Sequence, residues 1–246
     1  MKIKVLQKAL NILELASRRK SLLPGDLSLE LGIPRSTCVR LLKDLTKSGY
    51  LEQTSRSRGY CLGPLAYFLV DGFEYLRGLT GRGRDILREV AHSQKLSVLL
   101  AVRHADYRVV LAGFNGDTSL QVGFNKPRLH DCHLSVTGRL LLAYAPEKER
   151  NAIVKGFGTL AKGPFSGLTA SQILHQLSAY REAGEIVEPY KDRMAAALPI
   201  LGDQQVIAVL GAVWRAAGNE ERLKVIVSTL RQSAAQLSSC LSSVTG

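Results

Sequence analysis

Between residues 35 and 48, Cys38, Leu41, Leu42 and Leu45 fall at i, i+3, i+4 and i+7, the spacing of one apolar helix face. The opposite stripe, Ser36, Arg40, Lys43 and Lys47, carries three cations and a hydroxyl, with Arg35 and Val39 beside it. Pro34 suits the start of this helix and Gly49 its end. The same period runs through residues 5–18 (Leu6, Ala9, Leu10, Leu13, Ala16), and a shorter helix is expected from Pro24 to Leu31. Gly32-Ile33-Pro34 then turns the chain into the basic helix. Helix, turn and a second helix with a cationic front is the helix-turn-helix arrangement, apolar behind to pack and basic in front to meet phosphates and base edges. Two β-prone runs, 50–53 and 60–62, flank a polar turn ending in Gly59 and predict a hairpin. Its tip carries Arg56 and Arg58, a basic wing.

Residues 64–78 begin with proline and are apolar almost all round. A helix of that composition needs partners on more than one side, which points to a linker that also dimerises the chain. Beyond it the pattern predicts a helix at 82–93, then strands at 97–103 and 108–114 turning at His104-Ala105-Asp106. Helices are expected at 136–145, 147–155 and 169–183, strands at 193–201 and 205–214, and a last amphipathic helix at 219–242. Strand pairs mixed with helices, without regular βαβ alternation, predict an α+β domain on an antiparallel sheet. The expected division is 1–63 for the winged helix-turn-helix, 64–78 for the linker and 79–246 for the second domain.

Charge sharpens this picture. The net charge is +12 over 246 residues, and residues 1–64 hold 12 Lys/Arg against 5 Asp/Glu. More than half the excess therefore sits in about a quarter of the chain, so the first domain should meet a polyanion, duplex DNA above all. The four cysteines are scattered without a CxxC pair, which favours a reduced, intracellular chain over a disulfide scaffold. No apolar run approaches 18 residues and no signal-peptide core is visible, so a cytoplasmic location without membrane partners is expected.

The densest polar cluster is His130-Asp131-Cys132-His133, followed by Leu134-Ser135-Val136-Thr137-Gly138 at the start of a predicted helix. All four residue types of the cluster can ligate a metal, yet four consecutive residues cannot all converge on one tetrahedral ion. A Cys/His nucleophile needs a third orienting group and an oxyanion hole, and no signature for either is visible. The remaining reading uses the helix start, where unpaired amides and the helix dipole favour an anion. Ordinary capping by Ser135 or Thr137 is the plain alternative. No cofactor or metal is expected.

Several stretches resemble the IclR family of bacterial transcriptional regulators: Leu6-Gln7-Lys8-Ala9-Leu10-Asn11-Ile12-Leu13, Ser36 through Leu45 with Gly49-Tyr50, and Tyr60-Cys61-Leu62-Gly63. Within the second domain His133-Leu-Ser-Val-Thr-Gly138-Arg-Leu-Leu-Leu-Ala143 is similar to that family's effector loop, and Ala197-Leu198-Pro199-Ile200 to its Ala-Ala-Pro-Ile strand. The resemblance implies a dimer, or dimer of dimers, on near-palindromic operator DNA. It also implies a small organic carboxylate, aromatic acids included, held at the amides of Val136 and Thr137.

On this reading Arg35, Ser36, Val39 and Arg40 lie nearest base edges, Lys43, Lys47, Arg56 and Arg58 mainly contact phosphates, and Thr37 also belongs to the DNA-binding set. The effector pocket would draw on His133, Ser135, Val136, Thr137 and Gly138, with a far wall from Glu185, Arg193, Met194, Gly211 and Val213. Glu188 is a further candidate. The chain departs from the family pattern here: the 184–199 loop is about three residues short, Met194 or Ala195 replaces a pocket cysteine, and Trp214 takes a glycine slot. An indole in that place would make the pocket less polar. The competing function is a DNA-tethered enzyme that turns over a small acid with a metal or with the Cys132/His cluster.

Overall fold

The helical and alternating patterns fold as two units, Met1–Glu74 and Tyr75–Gly246, in a computed structural model. It describes residues 4–55, 59–71, 81–117, 119–120, 122, 128–202, 205–216 and 220–242. Arg56, Arg58 and the end of the expected linker helix lie outside the described residues.

In the first unit, α1 (Lys4–Ala16), α2 (Pro24–Leu31) and α3 (Arg35–Lys47) converge on Ile12, Ala16, Leu27, Ile33, Cys38, Leu41 and Leu42. The turn between α2 and α3 is fixed by Gly32 at φ 60° and by the Ser28 hydroxyl donating to the Ile33 carbonyl at 2.7 Å. Strands β1 (Leu51–Ser55) and β2 (Gly59–Leu62) pair antiparallel as the wing stem. Tyr60 ties that stem to the segment before α2 by exchanging two backbone hydrogen bonds with Leu22, 2.8 and 2.9 Å long. Helix α4 (Pro64–Asp71) follows within the same unit and exposes Leu65 and Leu69.

The second unit is built on a six-stranded, fully antiparallel sheet in the order β5-β4-β3-β8-β7-β6. Its strands are β3 (Ser97–His104), β4 (Tyr107–Asn115), β5 (Arg128–Leu129), β6 (Ile186–Tyr190), β7 (Arg193–Gly202) and β8 (Gln205–Arg215). Alternation along β8 sends Ala208, Leu210, Ala212 and Trp214 to one face and Val209, Gly211 and Val213 to the other. The first face is covered by α5 (Arg82–Gln94) and α9 (Glu220–Ser242) through Leu87, Val90, Ile226 and Leu230. The second is covered by α6 (Val136–Ala143), flanked by α7 (Glu147–Gly156) and α8 (Ala170–Ala183). The fold class is the expected α+β one, with two strands that pattern reading does not find: the two-residue β5, and β6, whose Pro189 interrupts a short run on the sheet edge.

Candidate nucleic-acid interface and ligand cavity

Helix α3 turns Cys38, Leu41 and Leu42 into the core and leaves Arg35, Ser36, Arg40, Lys43 and Lys47 exposed, with Thr37 and Val39 half-buried at the edge of the same stripe. The buried side fixes the helix, so the exposed cations are presented on a rigid backbone rather than on a loop. Asp44 is the lone acid in the helix.

The second site lies where α6 meets the sheet. A cavity of about 120 Å³ is lined by Ser97, Val98, Leu99, Arg108, Val122, Ser135, Val136, Thr137, Gly211, Ala212 and Val213. Ser135 caps α6, its hydroxyl accepting the Gly138 amide at 3.1 Å and donating to the Asp131 carbonyl at 3.3 Å. The cap leaves the amides of Val136 and Thr137 without an intrahelical partner, at the positive end of the helix dipole. Gly211 lets the helix come close, because a Cβ there would collide with the Thr137 methyl.

Arg108 is the charged group of this wall. Its side chain is 9% exposed, and it forms a bidentate pair with Asp131, Nε to Oδ1 at 2.6 Å and Nη2 to Oδ2 at 2.8 Å. Nη1 is buried and has no hydrogen-bond partner among the described residues. Among the described residues no carboxylate lines the cavity. Ser97 is already engaged, donating to the Leu120 carbonyl at 2.6 Å.

A second buried arginine, Arg139, sits one helical turn into α6. It donates from Nη1 to the Tyr180 hydroxyl at 2.7 Å and to Glu188 Oε2 at 3.0 Å, and from Nη2 to Glu188 Oε1. The guanidinium also lies over the Tyr180 ring, 5.4 Å from its centre. Glu188 is thereby tied across α6, α8 and β6 and does not line the cavity.

The polar cluster before α6 does not converge. His130 pairs with Asp106 at 3.3 Å, Asp131 with Arg108, and the His133 ring packs against Phe157 at 5.2 Å. Cys132 is wholly buried with Leu142, Val154 and Phe165. Burial, and then the neighbouring Asp131, push its thiol up to about 12, so at neutral pH the free thiol keeps its proton.

Of the residues the sequence nominates for a ligand, Ser135, Val136, Thr137, Gly211 and Val213 line the cavity, and Gly138 adjoins it through the cap. The other four lie elsewhere. His133 faces Phe157, and Glu185 is held by Arg231 of α9 at 2.9 and 2.5 Å. Arg193 stands at the start of β7 beside Asp192, 3.7 Å away. Met194 pairs across strands with Trp214, and both pack on the face of the sheet away from the cavity. The indole therefore does not enter the pocket, because the period-two alternation that points Val213 inward points Trp214 outward. Arg108, Ser97 and Leu99 escape sequence reading. An arginine inside an alternating strand looks like any polar residue of a sheet, and its partner Asp131 is 23 residues away.

A larger hollow of about 450 Å³ lies at the other end of α6, between Arg103, Tyr144, Arg181 and Gln205. Its best-buried cation, Arg103, is already held by Glu149 in two 2.9 Å bonds, so it offers a ligand less than the Arg108 wall does.

Residues 5–55 match the family model described as the IclR helix-turn-helix domain. The chain is 23% identical over 217 residues to the HTH-type transcriptional regulator XynR of Escherichia coli K12, an alignment covering 85% of this chain and 84% of that protein. It superposes with a TM-score of 0.72, at 22% identity, on an IclR homologue from Microbacterium hydrocarbonoxydans complexed with 4-hydroxybenzoate, covering 96% of this chain and 98% of that one. An IclR transcriptional regulator from Alicyclobacillus acidocaldarius gives 0.69 at 22% identity, with 98% and 99% covered.

Proposed function

We propose that this chain, whose residues 5–55 match the IclR helix-turn-helix domain, is a transcriptional regulator of the IclR type that binds duplex operator DNA through α3 under the control of a small organic acid. The proteins it matches are transcriptional regulators and not enzymes, and the burial of Cys132 among Leu142, Val154 and Phe165 speaks against a Cys-dependent reaction. The observation that carries the DNA half is the exposed stripe Arg35, Ser36, Arg40, Lys43 and Lys47 on a helix locked into a winged scaffold. Arg40 and its neighbours Arg35, Ser36, Thr37 and Val39 read base edges; Lys43 and Lys47, with Arg56 and Arg58 of the wing, hold phosphates.

The effector half rests on the cavity at the start of α6, where helix amides and the Nη1 group of Arg108, left over from its pair with Asp131, offer donors. A carboxylate is the ligand group such a wall receives. A structural neighbour of the same fold holds 4-hydroxybenzoate, which supports an aromatic or similarly compact acid here. The exposed apolar residues Val5, Leu6 and Leu10 of α1 and Leu65 and Leu69 of α4 support a homodimer, or dimer of dimers, that buries them. No described helix is long and apolar enough to cross a membrane, which fits a regulator working in the cytoplasm.

The test is binding to genomic fragments followed by the Arg40→Ala variant. If Arg40 pairs with a guanine, specific binding weakens by about 1–3 kcal/mol and discrimination at one base position relaxes. An equal loss on operator and random DNA overturns the base-reading role.

A further inference from the structure

A small cavity with one charged wall reports on what it holds. Two of the five donors of the Arg108 guanidinium are bonded to Asp131, while the Nη1 amino group is buried and bonded to nothing among the described residues. Leaving a charged donor dry and unbonded is costly, so such a group in a native protein calls for an explanation. Arg139, the more deeply buried arginine, differs at its tip, although its Nε too has no partner among the described residues. Both of its terminal nitrogens are occupied by Glu188 and Tyr180, and it does not line the cavity. Arg108 keeps one terminal nitrogen free, and it is the arginine on the cavity wall.

We propose that Arg108 reads the charge of the effector, its Nη1 donating to the ligand carboxylate, and that Asp131 is the positioning residue that holds it there. This deepens, and rests on, the assignment of the α6 cavity as the acid site. The two oxygens of Asp131 fix the plane of the guanidinium, and its carbonyl accepts the Leu134 and Ser135 amides at 2.9 and 3.0 Å as well as the Ser135 hydroxyl. One residue thus orients both the arginine and the capped start of α6, so the free Nη1 and the Val136 and Thr137 amides belong to one rigid frame. The apolar side chains on the cavity wall are Leu99, Val136 and Val213. At about 120 Å³ the cavity is of the order of the roughly 150 Å³ enclosed apolar cavity that admits benzene, and it opens to solvent, so the occupant is a compact monoacid of at most one ring that need not be wholly enclosed. Neutral amides or alcohols of the same shape are refused, since they cannot supply two anionic acceptors.

The experiment compares benzoate with benzamide on the full-length dimer by calorimetric titration, for wild type, Arg108→Gln, Arg108→Lys and the doubly neutral Arg108→Gln/Asp131→Asn, each checked for folding by circular dichroism. Wild type should prefer benzoate, and Arg108→Gln should lose about ten- to hundredfold of benzoate affinity, erasing the preference. Arg108→Lys should retain the preference with weaker binding, because a point charge cannot serve Asp131 and a ligand with the same fork. The double variant removes the charge pair without leaving an unpaired carboxylate, so it gives the same answer if Arg108→Gln fails to fold. Undiminished preference for benzoate in either neutral variant overturns the role of Arg108 while leaving the cavity as the acid site. Absence of benzoate binding to wild type, or binding that survives narrowing the cavity with a Val213→Phe variant shown by circular dichroism to be folded, overturns the cavity assignment and this proposal with it.

Discussion

The Arg139–Glu188 pair is asymmetric, and the asymmetry decides what each truncation does. The arginine side chain is 1% exposed and the glutamate 28%. Removing the glutamate leaves a buried guanidinium with only the Tyr180 hydroxyl and ring for company, whereas removing the arginine leaves a carboxylate that can reach water. Glu188→Ala should therefore cost about 3 kcal/mol or more, while Arg139→Met, which keeps the volume, should cost clearly less. Trp214 is the single tryptophan and lies in the core of the second unit, so urea unfolding followed by its fluorescence reports on that unit. Equal costs would show that the pair is not governed by desolvation. Cys132 gives a second check. Burial raises its thiol from 9.0 to about 12, so the native state keeps the proton that the unfolded chain releases. Stability from this residue is complete below pH 9 and is lost as pH rises from there towards 12. Cys132→Ala should flatten that part of the stability curve, and native Cys132 should resist thiol reagents at neutral pH.

At the level of elements, the helix-turn-helix and its wing stem depend on one backbone position. Gly59 has φ +81°, and a Cβ there would run into the Leu22 carbonyl. Leu22 and Tyr60 exchange the two hydrogen bonds that join the stem to the segment before α2. Gly59→Ala should cost about 1–3 kcal/mol for the left-handed backbone alone, and more for the collision. Hydrogen exchange should show lost protection at the Leu22 and Tyr60 amides; unchanged protection would mean the stem adapts. This junction also shows what a sequence discloses. The helices follow from a 3.6-residue period that survives in isolation, so α2, α3, α5 and α8 fall within a residue or two of their expected bounds. Edge strand β6 carries a proline and gains its pairing only from β7, a tertiary fact. The site divides in the same way. The amide end of the cavity is local to the Ser135–Gly138 turn and legible, whereas Arg108 acquires its role from a partner on another element and a cavity no linear pattern describes.

For the whole molecule, reading DNA and sensing an acid must be one equilibrium. An acid can alter operator affinity only if it binds one arrangement of the DNA-binding domains more tightly than another, and the operator must then alter acid affinity by the same factor. Titrating the protein with an operator fragment in the presence and absence of a bound acid, and with the acid in the presence and absence of the fragment, should give matching factors, of the order of 5- to 150-fold. Acid binding that leaves operator affinity unchanged would make the cavity a vestige. Salt separates the electrostatic part of the same measurement. Arg35, Arg40, Lys43 and Lys47 are exposed cations on α3, and each one that neutralises a phosphate contributes about 0.9 to the slope of log affinity against log salt. In a dimer that engages both half-sites every substitution is made twice, so Lys47→Ala should lower the slope by about 1.8, equally on operator and random DNA. A fall of about 0.9 would mean that one recognition helix is engaged at a time, and no fall would remove Lys47 from the phosphate-contacting set. Because the acid acts on how two helices are offered to two half-sites, its addition should change the slope for operator DNA when it releases one of them. A change in affinity at constant slope would instead place the control in base reading by Arg40 and its neighbours, with both helices still seated on the backbone.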